Sequence, residues 1–403
     1  MVITAVKCHV LLDPQFELGM TSSAQDDLVV EVQTDDGIVG VGESDVNAWI
    51  GRACIEAPGT HTMDSGLGAS LIGLSPLEPE AVWDRLYVQT AMAGRRGAVV
   101  HALGALDMAL WDLCGKVAQV PTWQRLGARV ENVARPYASL LPQARTFEAL
   151  VEGFVAQALD AQKAGFCAAK LELLISGPYA SMGVREPDSR MTDIIAAVRA
   201  AVGPEFVLMV DVGYAWDSVG HALRVIESWV AHDIYMVETP LWMDDLDGYS
   251  RLTRMSPIRI AAGEWLATRH EFRTLVERGC VSVLQPDVGR VGGLTEARRV
   301  CELAELYGLE VIPHSWKTGI TVAATAHLSI VTPCISFMEV VPKQCAASAL
   351  RRELLEVEPE VRDGALTLPD LPGLGVVVDR RALRRFEGAA DGMMAKRRTR
   401  VGW

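Results

Sequence analysis

From Pro136 onward the chain repeats one unit, a short apolar run followed by a longer amphipathic run. The apolar runs fall near 135–141, 167–173, 206–213, 234–240, 258–264, 281–287, 310–315 and 335–340. Helical patterns lie between them, near 147–164, 188–202, 217–231, 244–254, 269–278, 293–307 and 318–330. Apolar runs without polar alternation read as strands buried on both faces, the mark of a parallel sheet wrapped in helices. Eight such strands are the number that closes a (β/α)₈ barrel. An open doubly wound sheet would need helices on both faces and a point where strand order reverses. The expected class is therefore α/β, a TIM-like (β/α)₈ barrel.

The 403 residues exceed what one core comfortably holds, so the barrel should carry an appendage. Residues 1–45 alternate like strands, and Asp35-Asp36-Gly37 between two apolar runs signals a hairpin. Residues 46–75, rich in Gly, Ser, Thr and Ala, read as a mobile loop, and 76–127 read as helical.

Thirty-eight basic against fifty-one acidic side chains give a formal charge of -13, which repels nucleic acid and anionic lipid surfaces. The basic run Lys396, Arg397, Arg398 and Arg400 reads as a solvated tail. The eight cysteines form no C-x-x-C pair and read as reduced thiols. No apolar run reaches the length of a membrane span, and the start lacks a basic segment followed by an apolar stretch. A soluble, cytoplasmic protein is expected, with no nucleic-acid or membrane partner. Gly289-Arg290-Val291-Gly292-Gly293 departs from G-x-G-x-x-G and reads as a βα-loop turn rather than a nucleotide cradle.

Barrel chemistry sits at the C-terminal ends of the strands. Here those ends are polar: Lys170-Leu171-Glu172, Asp211, Glu238, Glu264, Asp287, His314 and Glu339. Asp211, Glu238 and Glu264 close three successive strands, and three carboxylates so near each other need a cation. Oxygen donors without His or Cys favour Mg²⁺, with Mn²⁺ a substitute. Asp287 and His314 close neighbouring strands, and a carboxylate holding one imidazole nitrogen makes His314 a general base. Lys170 is a second cation at the mouth, able to act as acid or base, to anchor a substrate carboxylate, or to pair with Glu172.

This series of strand ends resembles the enolase superfamily, mandelate racemase/muconate lactonizing enzyme-like subgroup, over essentially the whole chain. The segment Ala-Leu-Asp-Met-Ala-Leu-Trp-Asp-Leu-Cys-Gly-Lys (105–116) is also similar to that family's capping-domain helix. The resemblance implies an N-terminal α+β capping domain (1–130), the barrel (131–345) and a C-terminal segment (346–403) returning to the cap. Residues 15–25 and 46–70 become the loops over the substrate, with Arg52 and His61 more readily read as solvated than as substrate contacts. It also implies Asp211, Glu238 and Glu264 as Mg²⁺ ligands, Asp287 and His314 as the base dyad, and Glu339 as a protonated hydrogen-bond donor to an enolate. Enolase-superfamily sites are themselves a standing example of a Lys or His base with Mg²⁺ stabilising an ene-diolate. Homo-oligomers are the family expectation.

Three departures stand out. Glu172 replaces the second lysine of Lys-x-Lys, Gly213 replaces an Asn two residues after the first metal ligand, and Lys317 adds a cation beside the dyad. Lys170, Glu172 and Lys317 are the candidate substrate-binding groups. With one base in place, the expected activity is dehydration of a sugar acid to a 2-keto-3-deoxy acid. The alternatives are a racemase, epimerase or cycloisomerase of a carboxylic acid, or a non-catalytic binding or regulatory barrel.

Overall fold

The computed structural model describes residues 1–130 and 134–401, with side chains as far as Lys396. The barrel strands, first to eighth, are Arg135–Leu140, Ala168–Glu172, Val207–Asp211, Ile234–Glu238, Arg259–Ala262, Val283–Leu284, Glu310–Val311 and Phe337–Val340. Neighbours pair in parallel, and the eighth returns to the first through Phe337↔Arg135 and Glu339↔Tyr137. The seam between the seventh and eighth is closed by Val311 N donating to Cys334 O at 2.9 Å and Ser336 N donating to Val311 O at 3.3 Å. The chain therefore forms the closed (β/α)₈ barrel.

The sixth and seventh strands hold only two residues each, fewer than their apolar runs suggest. The polar residues that follow leave the ladder and turn over the barrel mouth, although Asp287 and His314 still meet in an isolated parallel bridge. Inside the barrel each strand or its extension contributes one residue to an apolar layer: Tyr137, Ala168, Met209, Met236, Ala261, Val283, Ile312 and Phe337. Side chains two residues on point the same way. That step raises a polar layer on the apolar one, and the polar layer is the floor of the site.

The cap is a three-stranded antiparallel sheet, Ile3–Leu12, Asp26–Thr34 and Val39–Ser44, with Gly37 at φ 86° in the expected hairpin. Helix Ala98–Ala118 crosses it so closely that Cβ atoms at Gly40 and Gly42 would lie 2.1 Å and 2.0 Å from the Ala109 and Ala105 carbonyl oxygens. This is the one described helix long and apolar enough to span a membrane, and 89% of that stretch is buried in the protein. Because the obstruction at Gly42 is helix backbone, Gly42→Ala should destabilise the fold by about 1–3 kcal/mol. Thermal unfolding checks this, and an unchanged midpoint would contradict the packing.

Residues 46–75 are only in part the expected loop. Ala48–Glu56 and Leu67–Leu71 are helices that bury Ala48, Ile55, Leu67 and Leu71 in the cap core, while 57–66 join them without a helix or strand. The final helix, Arg380–Val401, packs Leu383 and Phe386 into the barrel-side core and Ala390 into the cap core. Glu387 of that helix lies 2.7 Å from His9 Nδ1 on the first cap strand. Lys396 is exposed, and the side chains of Arg397, Arg398 and Arg400 lie outside the described residues.

Candidate active site

One step above the apolar layer, the inward positions are Ser139, Lys170, Asp211, Glu238, Gln285, His314 and Glu339, all buried. Strand register holds Glu172 level with Asp211, and Asp211 level with Glu238. Glu264 follows Gly263, whose φ of 128° turns the chain back toward the mouth.

The three acids expected to hold a cation are fixed by neutral or cationic donors. Asp211 Oδ1 accepts from Thr239 Oγ1 at 2.5 Å and Gly213 N at 2.8 Å. Glu238 Oε2 accepts from Lys170 Nζ at 2.9 Å and Gln285 Nε2 at 2.5 Å. Glu264 takes Tyr214 OH on Oε1 at 3.0 Å and Arg290 Nη1 on Oε2 at 3.0 Å. Glu238 Oε1 is buried with no partner among the described residues. An orphaned carboxylate oxygen inside a crowd of acids is costly unless a cation meets it. Burial pushes Glu238 up to about 8, with Asp211, Glu339 and Glu264 adding to the push and Lys170 resisting it. Glu172, also in contact with Asp211, is raised well above the carboxylate range by burial and by that neighbour. Negative charge exceeds the local cations, and the donors are hard oxygens. The residues fit a divalent cation of the Mg²⁺ type.

His314 stands across the cavity. Its Nδ1 is bonded to Asp287 Oδ2, while Nε2 lies 3.3 Å from Glu264 Oε2 and 3.8 Å from Glu339 Oε2. Asp287 is immobilised in turn, since its Oδ1 accepts from Gly289 N at 2.6 Å. Burial alone would depress the imidazole, but Glu339 and Asp287 outweigh burial and Arg290 and push it up to about 9. Glu43 of the cap pins the loop beyond His314, accepting from Thr318 N at 3.1 Å and Thr321 N at 2.6 Å.

Three sequence-based roles need correction. Lys170 is not at the mouth: it is fully buried, with Nζ 2.9 Å from Glu238, 2.8 Å from Glu339 and 3.5 Å from Glu172. It is a counter-ion beneath the cavity. Glu339 is not a protonated donor. Burial would raise it, but Lys170 and His314 hold it at about 2, and it accepts from Ser139 Oγ at 2.7 Å and Ser315 N at 2.8 Å. Lys317 points away from the substrate space, bonding to the backbone oxygens of Ser23 and Asp26, the latter at 2.7 Å, and so tethers the cap loop. Of the three candidate substrate contacts only Glu172 lines the cavity.

Residues 15–25 supply Thr21, Ser22 and Ser23 to the cavity wall, whereas no residue of 46–70 lines it. Arg52 pairs with Glu56 at 3.5 Å on the surface and His61 is exposed. Arg290 was missed by the sequence reading. Its guanidinium bonds Asp45 Oδ2 at 2.6 Å and Glu264 at 3.0 Å, and lies 3.9 Å from Asp287. Its place three residues after Asp287 was visible, but the surrounding glycines drew attention to the backbone. Among the described residues, Asp45, Asp287 and His314 bring ligand atoms within 4.8 Å of one another. Arg290 and Lys317 (3.4 Å) neutralise Asp45, and His314 Nδ1 is bonded to Asp287 Oδ2, so the ligand atoms of this trio are committed to one another and to cations.

Comparison with known proteins agrees with this geometry. Residues 2–127 match the mandelate racemase / muconate lactonizing enzyme N-terminal domain, and residues 153–382 match the enolase C-terminal domain-like family. The D-galactarolactone cycloisomerase of Agrobacterium fabrum (strain C58) is 31% identical over 96% of this chain and 99% of its own. The L-rhamnonate dehydratase of Saccharopolyspora erythraea is 32% identical over 87% of this chain and 82% of its own. Among solved structures, a racemase from Streptomyces coelicolor A3(2) with bound magnesium superposes with a TM-score of 0.80 at 27% identity, covering 96% of this chain and 99% of that one. With both domain families matched, a closed barrel and acids at successive strand ends, the chain belongs to the mandelate racemase/muconate lactonizing enzyme subgroup of the enolase superfamily.

Proposed function

We propose that the protein removes the proton α to the carboxylate of a small sugar acid and expels the β-oxygen, yielding a 2-keto-3-deoxy acid. The observation that carries this reading is the single imidazole aimed into the cavity. His314 Nε2 faces inward with its other nitrogen fixed by Asp287, while the position of a second-face lysine holds Glu172. Asp211, Glu238 and Glu264 would hold Mg²⁺, and a magnesium-bound structural neighbour supports that choice. Bound there, the ion supplies positive charge for the substrate carboxylate and its enolate form.

This chain's residues then divide the work. His314 Nε2 takes the α-proton, and Asp287 holds the tautomer and stabilises the resulting imidazolium. The imidazolium gives its proton to the departing β-oxygen on the same face. Lys170 and Arg290 keep the acids around the cavity from repelling the substrate. Thr21 to Ser23 close the cavity against water.

When the β-oxygen is a free hydroxyl the outcome is dehydration, and the enzyme is a lyase. A second reading, favoured by the similarity to a cycloisomerase, keeps the same proton movements with a ring oxygen as leaving group; no water is lost and the enzyme is an isomerase. A cytoplasmic homo-oligomer goes with either reading.

The test is a screen of mono- and diacid sugars with Mg²⁺, read as 2-keto acid formation. Absence of both keto acid and α-hydrogen exchange with every acid that binds would leave a binding barrel instead. Asp287→Asn should lower turnover by about 10- to 100-fold, because it disturbs tautomer and basicity and leaves the imidazole in place. Steady-state kinetics check this, and wild-type turnover would remove Asp287 from the dyad.

A further inference from the structure

Where the cap meets the loop that follows His314, acids outnumber cations. Asp26, Asp27, Glu43 and Asp45 gather there around Lys317 and Arg290. Lys317 pairs with Asp26 at 3.5 Å and with Asp45 at 3.4 Å, and Arg290 takes the other oxygen of Asp45 at 2.6 Å. Among the described residues no cation forms an ion pair with Asp27 or Glu43, although both are fully buried. Strand register brings these two together. Glu43 pairs with Val29 across the cap sheet, and Asp27 lies two residues before Val29, so both carboxyls point from the same face. Leu11, Val29 and Val41 share that face and belong to the barrel-side core.

The surroundings of the two acids differ. Glu43 Oε1 accepts from Thr318 N at 3.1 Å, Thr321 N at 2.6 Å and Thr321 Oγ1, and its Oε2 accepts from Thr318 Oγ1 at 2.6 Å. Asp27 has no such donors: neither of its oxygens meets an N–H or O–H group among the described residues, and its hydrogen-bonding neighbour is the Glu43 carboxyl. Two ionised carboxylates only accept and repel each other, whereas one proton between them makes a charge-assisted hydrogen bond. The four donors on Glu43 suit an ionised acceptor, so the proton resides on Asp27. Burial pushes Asp27 well above the usual carboxylate range; Glu43 on the third cap strand and Asp26 on its own strand add to the push, and Lys317 opposes it. Leu11, opposite Asp27 on the first cap strand, brings no charge.

The segment held by Glu43 carries the base. Thr318 caps helix Gly319–Ile330, Thr321 lies in its first turn, and the loop from His314 leads into it. Lys317, on the same loop, is bonded to the backbone oxygens of Ser23 and Asp26 in the cap. We infer that Asp27 keeps its proton at neutral pH and donates it to Glu43, and that this carboxyl–carboxylate bridge makes Asp27 a positioning residue that ties the His314 loop to the cap.

The experiment compares the full chain with two neutral replacements. Asp27→Asn keeps a donor toward Glu43 and cannot ionise; Asp27→Val keeps a branched shape and donates nothing. In the unfolded chain Asp27 ionises at the ordinary carboxylate value, while in the folded protein it stays protonated. The wild type therefore loses stability relative to Asp27→Asn as pH rises above that value, the ratio of their folding constants changing about tenfold per pH unit. Thermal midpoints from about pH 5 to about pH 8 should show Asp27→Asn gaining steadily on the wild type. A gap that does not change with pH, or an Asp27→Asn protein that fails to fold, would overturn the inference. Positioning is read by amide hydrogen exchange of residues 315–321: Thr318 N and Thr321 N should exchange about tenfold faster in Asp27→Val and at the wild-type rate in Asp27→Asn. Equal protection in all three proteins would overturn the positioning role, and Asp27→Ala serves if the valine variant does not fold. On an accepted sugar acid, turnover of Asp27→Val should fall about tenfold with KM little changed, and Asp27→Asn should recover most of it. Only this last comparison rests on the elimination reading above. If no acid exchanges its α-hydrogen that reading fails, while the midpoints and the amide exchange still decide the bridge.

Discussion

Replacing His314 by Asn lowers turnover about 10³-fold and stops exchange of the substrate α-proton with solvent, within the range a general base contributes. The size of the effect follows from position. His314 Nε2 is the one imidazole nitrogen at the cavity, held by Asp287 behind it and stacked against Trp316. Lys170 cannot replace it, because its ammonium lies fully buried among Glu238, Glu339 and Glu172. Proton exchange followed by NMR, together with a thermal unfolding curve to show the variant is folded, checks the result. Undiminished exchange would move the base to another residue, Glu172 first, since it lines the same cavity.

Glu238→Gln should be comparably severe, about 10³-fold or more in turnover, with Mg²⁺ affinity lost in calorimetry. The amide keeps the side chain's shape and can still accept from Lys170 and Gln285, which meet Oε2 in the native protein. What disappears is one negative charge and the orphaned Oε1 that a cation would meet. The fold should survive, because burial, with Asp211, Glu339 and Glu264 adding to the push, raises this carboxyl to about 8, and a neutral amide removes the cost of a buried charge in the metal-free protein. Full activity of the wild-type protein in excess chelator, or native Mg²⁺ affinity in the variant, would contradict the assignment.

The strand ends were legible in the sequence because the barrel interior obeys a period of two. A buried Met209 predicts that Asp211 faces inward, and Met236 does the same for Glu238. Partners across the barrel were not legible. Nothing local to Glu339 announces that Lys170, six strands earlier in the chain but only two strands away in the closed sheet, keeps it ionised. Lys317 looked like a substrate contact because it follows His314 by three residues; the turn between them aims it at Ser23 and Asp26 of the cap. Tyr214 was invisible for a backbone reason, since its placement depends on consecutive positive φ values at residues 213 and 214. Residues 46–75 misled through composition. Gly favours loops in isolation, but here its missing side chain lets Ala48–Glu56 and Leu67–Leu71 pack closely, as with Gly68 against Ile55.

The central claim, one-base elimination at the α-carbon, is tested most directly by NMR in deuterated water on each C2 epimer of an accepted sugar acid, cyclic or open. The account predicts that only the epimer whose α-hydrogen faces His314 is consumed, giving the 2-keto-3-deoxy acid, while the other epimer stays unreacted with its α-hydrogen in place. Interconversion of the two epimers without keto acid would contradict it and make Glu172 a second-face acid or base.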